Sequence, residues 1–363
     1  MKLIHIIASL YGGGRERRML QLVKGLAHDH KIEQTIITFS NKKDYNIDFQ
    51  SLKVDIIYLN MKSSFHGFTL LNQTFRQLKP DIVHSWCDNP TVMMSTSILK
   101  HIYRYKYIAG FVADGNRLTK FKQKISMHIN FQSAESIVSN SKAGLIAKNA
   151  PLYKSKVIYN GFDFDRLLHL PNLDNIKKSL NITTPYIVSM VARFTPSKNY
   201  QMLLDTAFEL QKRRNDITIL AVGKGELLES FKEQTKKRNI SNIIFTGFRN
   251  DVECIMKIST LSILFTNEEV HSEGVSNSIM ESMAVGTPVI ATDGGGTPEI
   301  ITAGTDGFIV KPNDYKMAVE IIDKLLNDKS LLNKLSISAM QKIKNQFSLS
   351  KMTQEYLKLY KEL

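Results

Sequence analysis

Residues 273–291 read EGVSNSIMESMAVGTPVIA, a stretch that predicts a loop followed by a helix and then a buried strand. Two acidic residues, Glu273 and Glu281, bracket the predicted start of the helix. Eight residues at a helical rise of 1.5 Å per residue separate the two acids by roughly 12 Å. Two carboxylates at this spacing can hold the two ends of one elongated ligand.

The residues between the two acids favour a ligand-binding helix start. Gly274 permits tight backbone geometry, and Ser276 or Asn277 can cap the helix. The N–H groups of the first helical turn form a site for negative charge. A capped surface helix with one incidental glutamate explains the same spacing, so the spacing alone leaves both interpretations open.

Short runs rich in β-branched residues alternate with amphipathic patterns along the rest of the chain. Strands that alternate with helices predict parallel sheets covered on both faces. Helices are predicted at 18–27, 199–213, 225–238, 275–284, 315–327 and about 349–363. Strands are predicted at 2–8, 34–39, 54–59, 81–84, 107–111, 136–139, 186–191, 217–222, 242–246, 261–265, 288–291 and 308–310.

The 363 residues are too many for one hydrophobic core to be the default, so two domains are expected. The predicted fold class is α/β, with two Rossmann-like domains facing across a cleft. We assign 1–165 to the first domain and 166–345 to the second, with a linker near 161–183, and expect 346–363 to form a helix that packs back on the first domain. The active site is expected at the carboxyl ends of the strands.

Composition excludes several classes of protein. The hydrophobic fraction of 43% and the charged fraction of 23% are typical of a globular protein. The apolar runs are far shorter than the roughly 20 residues of a membrane span, and the first run lacks the features of a signal peptide, so a cytoplasmic protein is expected. Cys87 and Cys254 show no metal-binding spacing and are expected to be free thiols.

The net charge of +14 is concentrated in the first half of the chain. Residues 1–166 carry 24 Lys/Arg and 12 Asp/Glu, whereas 167–363 carry 24 and 22. Residues 100–124 hold seven basic residues and one acid, interleaved with five aromatic residues. This pattern favours an anionic membrane surface as a partner, with peripheral attachment at its inner face. Nucleic acid is disfavoured because no recognition signature accompanies the charge, and a solvated basic face with no partner remains an alternative.

The stretch from Glu273 fits E-G-x6-E-x-M-A-x-G-x-P and resembles glycosyltransferase family 4, whose fold is GT-B. The resemblance covers nearly the whole chain. Gly12, Gly13 and Gly14 resemble the glycine-rich first loop of that family, and the words KPDIVH at 79–84 and YNGFD at 159–163 also have counterparts there. The paired-glutamate stretch is the specific signal, and the other words are individually weak.

The resemblance implies a site for a nucleotide-diphosphate sugar. Glu273 would bind hydroxyls of the donor sugar, and Glu281 would bind the ribose hydroxyls. Arg193 and Lys198, which follow the strand predicted at 186–191, would bind the diphosphate and stabilise its growing charge. They would do so without a metal, and no other cofactor is expected. The donor-binding residues implied are Gly13, Gly14, Gly223, Gly247, Phe248, Gly274, Val275, Ser276, Asn277 and Glu281.

One departure from the family concerns the first domain. Many members carry a histidine after the fourth or fifth strand, next to the reacting sugar, whereas this chain has no histidine between residues 102 and 127. Asp114 and Asn116 are the nearest polar substitutes there. We take Asp114 as the candidate, either to contact a sugar hydroxyl or to act as a base.

The function predicted is that of a retaining glycosyltransferase of hexosyltransferase type. It would transfer a sugar, from a donor for which UDP is favoured, to a saccharide or lipid-linked saccharide in polysaccharide or glycan biosynthesis. A nucleotide-sugar epimerase or hydrolase on the same fold remains an alternative. A basic nucleic-acid-binding protein is the alternative that is not an enzyme.

Overall fold

The structure is a computed structural model of the chain. It describes residues 1–10, 13–27, 29–40, 52, 54–112, 114–116 and 121–363. The chain divides into two compact units. Unit 1 comprises Met1–Gly161 together with Leu349–Leu363, and unit 2 comprises Phe162–Ser348. The predicted boundaries at 165/166 and 345/346 lie within a few residues of this division.

Unit 1 is built on a parallel sheet of seven strands in the order β3-β2-β1-β4-β5-β6-β7. The strands are β1 (Lys2–Ile7), β2 (Glu33–Thr38), β3 (Asp55–Tyr58), β4 (Ile82–Ser85), β5 (Lys106–Val112), β6 (Ser136–Ser139) and β7 (Ser155–Val157). The helices are α1 (Gly14–Leu26), α2 (Ser64–Leu78), α3 (Pro90–Tyr103), α4 (Phe121–Ser133), α5 (Lys142–Ala147) and, from the end of the chain, α14 (Leu349–Glu362).

Unit 2 is built on a parallel sheet of six strands in the order β10-β9-β8-β11-β12-β13. The strands are β8 (Tyr186–Val191), β9 (Ile217–Val222), β10 (Ile243–Gly247), β11 (Leu261–Leu264), β12 (Val289–Thr292) and β13 (Gly307–Val310). The helices are α6 (Leu173–Ser179), α7 (Tyr200–Arg213), α8 (Leu228–Lys237), α9 (Val252–Ile258), α10 (Asn277–Ala284), α11 (Thr297–Ile300), α12 (Tyr315–Asn327) and α13 (Lys329–Gln346). The strand order reverses between β8 and β11, and open α/β sheets bind ligands at such a point.

Strand β1 shows why the sheets are covered on both faces. Its side chains alternate in direction, so Ile4 and Ile6 enter one core while Leu3 and Ile7 enter the core on the opposite face. The strand is therefore almost wholly apolar, as expected for a central parallel strand.

Each predicted strand is present, with ends that differ by at most one residue. Strand β7 was not predicted, because its three residues are too few to show alternation. The predicted linker near 161–183 was wrong in part. It contains a short 3₁₀ turn, Phe164–Leu167, and helix α6.

Helix α14 packs on α1 through a buried polar cluster. Arg18, which is 2% exposed, donates hydrogen bonds to the Tyr356 hydroxyl and to the Ile158 carbonyl, at 2.5 and 2.8 Å. His84 Nδ1 lies 2.7 Å from the Tyr360 hydroxyl. The final helix is thus fixed to the sheet of unit 1 by directional contacts as well as by apolar packing.

Two buried histidines of unit 1, His5 and His84, should make this unit less stable in acid. Burial lowers the pKa of His5 to about 4 and holds the pKa of His84 well below its usual value, where the charges of His5 and Arg18 act in the same direction. Because histidine in the unfolded chain titrates near pH 6.5, the stabilisation that comes from keeping these side chains neutral is complete above that pH. It is lost as the pH falls toward 4. The lowered pKa of His5 alone corresponds to a loss of about 3 kcal/mol of unfolding free energy over this pH range.

The single tryptophan provides the measurement, because Trp86 is buried and donates to His5 Nδ1 at 3.2 Å. Urea unfolding followed by Trp86 fluorescence should show a falling midpoint between pH 6.5 and 4.5. His5→Asn keeps an acceptor for the indole but cannot titrate, so its pH dependence should be shallower. Parallel curves for the two proteins would contradict the assignment.

Candidate active site

Lys198 and Glu273 form an ion pair at the carboxyl edge of the unit 2 sheet. Lys198 follows β8 and Glu273 follows β11, the two strands that flank the reversal of strand order. Their side chains are only 14% and 15% exposed. An acidic and a basic residue that are far apart in sequence therefore meet at the reversal of strand order, where doubly wound sheets bind ligands.

The backbone around Lys198 is held on both sides. The Asn199 N–H donates to the Phe265 carbonyl at 2.9 Å, and the Asn267 N–H donates to the Ser197 carbonyl at 3.0 Å. The Asn199 side chain also caps α7 by accepting a hydrogen bond from the Met202 N–H. The position of Lys198 is therefore set by the start of α7 and by the end of β11.

Helix α10 begins beside the end of β8. The Ser278 hydroxyl donates to the Val191 carbonyl at 2.8 Å, which ties the first turn of α10 to the segment that leads to Arg193. Ser276 occupies the N-cap position, but its side chain makes no capping hydrogen bond. Because the helix starts at Asn277, the residues before it are not helical, so the premise behind the 12 Å estimate was wrong.

A glycine loop packs directly against the first glutamate. The Gly296 N–H donates to the Glu273 carbonyl at 2.8 Å. Gly295 has a φ of +49°, and a Cβ added there would overlap that carbonyl. A Cβ on Gly296 would lie 2.6 Å from the carbonyl carbon of Gly274. These glycines allow two loops to lie in backbone contact, which side chains would prevent.

Glu268 is a further acid of this cluster that sequence reasoning missed. Its carboxylate lies against Gly294, as shown by the overlap that a Cβ on Gly294 would create. Burial raises the pKa of Glu268, and the charges of Glu273 and Asp293 raise it further, while a hydrogen bond with Ser272 and the charge of Lys198 act in the opposite direction. A group of acids around one lysine can hold several hydroxyl groups of a sugar.

Glu281, the second acid of the stretch, is 4% exposed and points to a different partner. Arg166 Nη1 donates to its Oε1 at 3.2 Å, and the same guanidinium forms an ion pair with the buried Glu253. Neither Arg166 nor Glu253 was predicted as a site residue.

The loops after β8, β9 and β10 lie against one another. The Gly223 N–H donates to the Gly247 carbonyl at 2.9 Å, and a Cβ on Gly223, whose φ is +145°, would overlap the Ala192 carbonyl. Phe248 is 54% exposed, with the Lys224 ammonium 4.6 Å from its ring centre. Arg193 is exposed in the neighbouring loop. The structure therefore places the predicted unit 2 site residues at the carboxyl ends of β8 to β11 or in the loops that follow them, except for Asn277 and Glu281, which lie in α10.

The predicted residues of unit 1 also lie at the carboxyl edge of their own sheet. Gly13 is the N-cap of α1, which begins at Gly14, and Gly12 lies outside the described residues. Asp114 follows β5 and forms an ion pair with Lys148 at 2.9 Å, a partner that was not predicted.

Two further observations concern the described ranges, which omit 11–12, 28, 41–51, 53, 113 and 117–120. They contain no group of three or more His, Cys, Asp or Glu side chains arranged to hold a metal ion. Within the same ranges, every helix is too short or too polar to cross a membrane. Cys87 and Cys254 are buried and unpaired.

Comparison with known proteins gives a family match within unit 2. Residues 172–342 match the family model "Glycosyl transferases group 1", a segment that contains Arg193, Lys198, Glu273 and Glu281. The matched segment lies within unit 2.

Two relatives match this chain over nearly the full length of both proteins, at low sequence identity. The lipopolysaccharide core biosynthesis glycosyltransferase LpsE of Rhizobium meliloti is 23% identical over 96% of this chain and 95% of its own. A GalNAc-GalNAc-diNAcBac-PP-undecaprenol α-1,4-N-acetyl-D-galactosaminyltransferase of Campylobacter jejuni is 22% identical over 100% and 99%.

Among solved structures, Anabaena HepE in complex with UDP and glucose superimposes with a TM-score of 0.86 at 18% identity, covering 100% of both chains. An identity this low supports the fold alone, and the fold is that of the predicted two-domain class. The chain therefore has the GT-B fold, and its residues 172–342 match the family model of the glycosyl transferases of group 1.

Proposed function

We propose that this protein transfers a sugar from a nucleotide-diphosphate donor to a saccharide acceptor, with retention of the anomeric configuration. The observation that carries the proposal is the half-buried Lys198–Glu273 ion pair beside the start of α10. A cation, an acid and a helix N-terminus together can bind a diphosphate and an attached sugar.

In this proposal each charged group has its own task. Lys198 and Arg193 bind the diphosphate and stabilise the negative charge that grows as the bond to the sugar breaks. Glu273 then exchanges part of its contact with Lys198 for hydroxyl groups of the sugar, and Glu281 accepts hydrogen bonds from the ribose. The acceptor attacks from the face that the diphosphate leaves, and an oxygen of that diphosphate takes its proton.

The relatives support a finer assignment of donor and acceptor. HepE was crystallised with UDP and glucose, which supports a UDP-hexose donor. The two bacterial relatives are named for lipopolysaccharide core biosynthesis and for an undecaprenol-linked saccharide. We therefore propose a saccharide or lipid-linked saccharide acceptor in polysaccharide assembly, bound by unit 1 with Asp114 contacting its hydroxyl groups.

The test is a thermal-shift panel of UDP, GDP, ADP and the sugars of each, followed by turnover with and without acceptor. A ligand at 100 times its dissociation constant raises the unfolding free energy by about 2.7 kcal/mol. Full turnover without acceptor would favour an epimerase or hydrolase. Binding to DNA or RNA, with no shift of the melting temperature when nucleotides are added, would favour a nucleic-acid-binding protein.

A basic groove in unit 1 supports an anionic membrane surface as a partner. The groove encloses about 720 Å³ at the amino ends of β4 and β5, and its lining includes the exposed Arg76, Lys79, Arg104 and Lys106. None of the four forms an ion pair with a described residue. The exposed Ile102 also lines it, so the groove suits phosphate headgroups next to acyl chains.

Charge reversal of the groove should weaken binding to vesicles that contain phosphatidylglycerol. Each basic residue near such a surface contributes roughly 1 kcal/mol, so Arg104→Glu/Lys106→Glu should weaken binding at least thirtyfold. Lys236→Glu/Lys237→Glu makes the same charge change at exposed positions of α8 and serves as the control. Co-sedimentation at low and high salt measures both, and equal binding by the two variants would contradict the role of the groove.

A further inference from the structure

Arg166 lies in the 3₁₀ turn Phe164–Leu167, directly after the start of unit 2. The turn begins at Asp163, whose carboxylate accepts a hydrogen bond from the Asp165 N–H at 3.2 Å. The guanidinium of Arg166 lies over the ring of the fully buried Phe162, 5.2 Å from its centre. The side chain is therefore held in place from its own segment, independently of the acids that it contacts.

The two acids that Arg166 contacts are both buried. Glu253 of α9 is 7% exposed and Glu281 of α10 is 4% exposed. Arg166 forms an ion pair with each of them through a different terminal nitrogen. A planar guanidinium can hold two carboxylates in fixed directions, which a lysine ammonium cannot do equally well.

We propose that Arg166 is a positioning residue for nucleotide binding. It orients Glu281 as the acceptor of the ribose hydroxyl hydrogen bonds, and Glu253 fixes the guanidinium through its other terminal nitrogen. This inference rests on the proposed ribose role of Glu281. It adds that the contact of Glu281 with the ribose depends on Arg166, which lies 115 positions away in sequence.

The preference for ribose over deoxyribose gives the inference a signature that simple packing lacks. Without Arg166, the Glu281 carboxylate loses the hydrogen bond that helps to fix its direction. Its contact with the ribose hydroxyl groups would then weaken, while the contacts of the base and the diphosphate would remain.

The experiment compares UDP with 2′-deoxy-UDP by calorimetry at pH 6.5 and pH 8.5. Wild type should prefer UDP by at least tenfold at both values. Arg166→Met should bind UDP at least tenfold more weakly and should lose the preference for UDP at both values. Arg166→Met/Glu253→Gln removes a charge of each sign, so it should fold well and still lack the preference.

The control is Arg214, which also bridges two acids, Asp216 and Asp323, over the ring of Tyr186. Arg214→Met should leave the preference for UDP unchanged. If Glu281→Gln abolishes the preference but both Arg166 variants keep it, the positioning role is overturned and the proposed function stands. If wild type binds none of UDP, GDP and ADP, the proposed function fails and this inference fails with it.

Discussion

Replacing Lys198 with alanine is expected to lower turnover at least a hundredfold while the melting temperature changes little. Hydrogen bonds fix the backbone on both sides of Lys198, and its ammonium pairs with Glu273, so it is preorganised for the charge that develops on the leaving diphosphate. Removing one such group from an active site costs about 3 to 4 kcal/mol of transition-state stabilisation, or two to three orders of magnitude in rate. Steady-state turnover with the donor found in the nucleotide panel measures the effect.

A second ion pair of unit 2 provides the control for Lys198. Lys212 pairs with Glu209 on α7 at 2.7 Å, and its side chain is half exposed. Lys212→Ala removes the same charge from the surface and should leave turnover within twofold of wild type. If Lys198→Ala retained wild-type turnover, the assignment of this edge of the sheet as the active site would be wrong.

Replacing Gly295 with alanine should reduce both stability and activity. The residue has a left-handed φ of +49°, and a Cβ there would overlap the carbonyl oxygen of Glu273. Because the obstacle is backbone, relief requires the Glu273 segment itself to move. We expect a loss of more than 2 kcal/mol in unfolding free energy, the sum of backbone strain and this displacement, and at least a tenfold loss of turnover.

The variant Gly304→Ala distinguishes the cost of backbone strain from the cost of moving the Glu273 segment. Its φ is +77°, and a Cβ there would have nothing within 4 Å. Gly304→Ala should therefore cost only about 1 kcal/mol and leave turnover intact. Thermal unfolding and turnover of the two variants, measured together, decide the matter. Equal effects would show that backbone strain alone explains the loss at Gly295.

The fold could be predicted from the sequence because its signals are local. Strands such as β9 are continuous apolar runs, and α7 and α12 repeat their apolar residues at helical spacing. Strand β7 and helix α6 were missed because three and seven residues carry too little pattern. Their place is set by pairing with β6 and by packing against α9.

The candidate site could be predicted only where a motif marks it. Glu273 and Glu281 lie within one recognisable stretch, and Lys198 and Arg193 follow a clear strand. Arg166, by contrast, is separated from Glu281 by more than a hundred residues, and no local pattern marks an arginine as the partner of a distant acid. Glu268 was missed for a related reason, since its environment is created by the folding of another loop against it.

The buried contacts of α14 bear on the order in which the protein folds during synthesis. Domains generally fold in the order in which they leave the ribosome. Here unit 2 is one continuous segment, whereas the core of unit 1 includes Met352, Tyr356 and Tyr360 from the last residues of the chain. Arg18 and His84 must therefore wait for their hydroxyl partners until α14 has been synthesised. The first half of the chain to be made is the last to be completed, and its unfinished surface is the one that chaperones would meet.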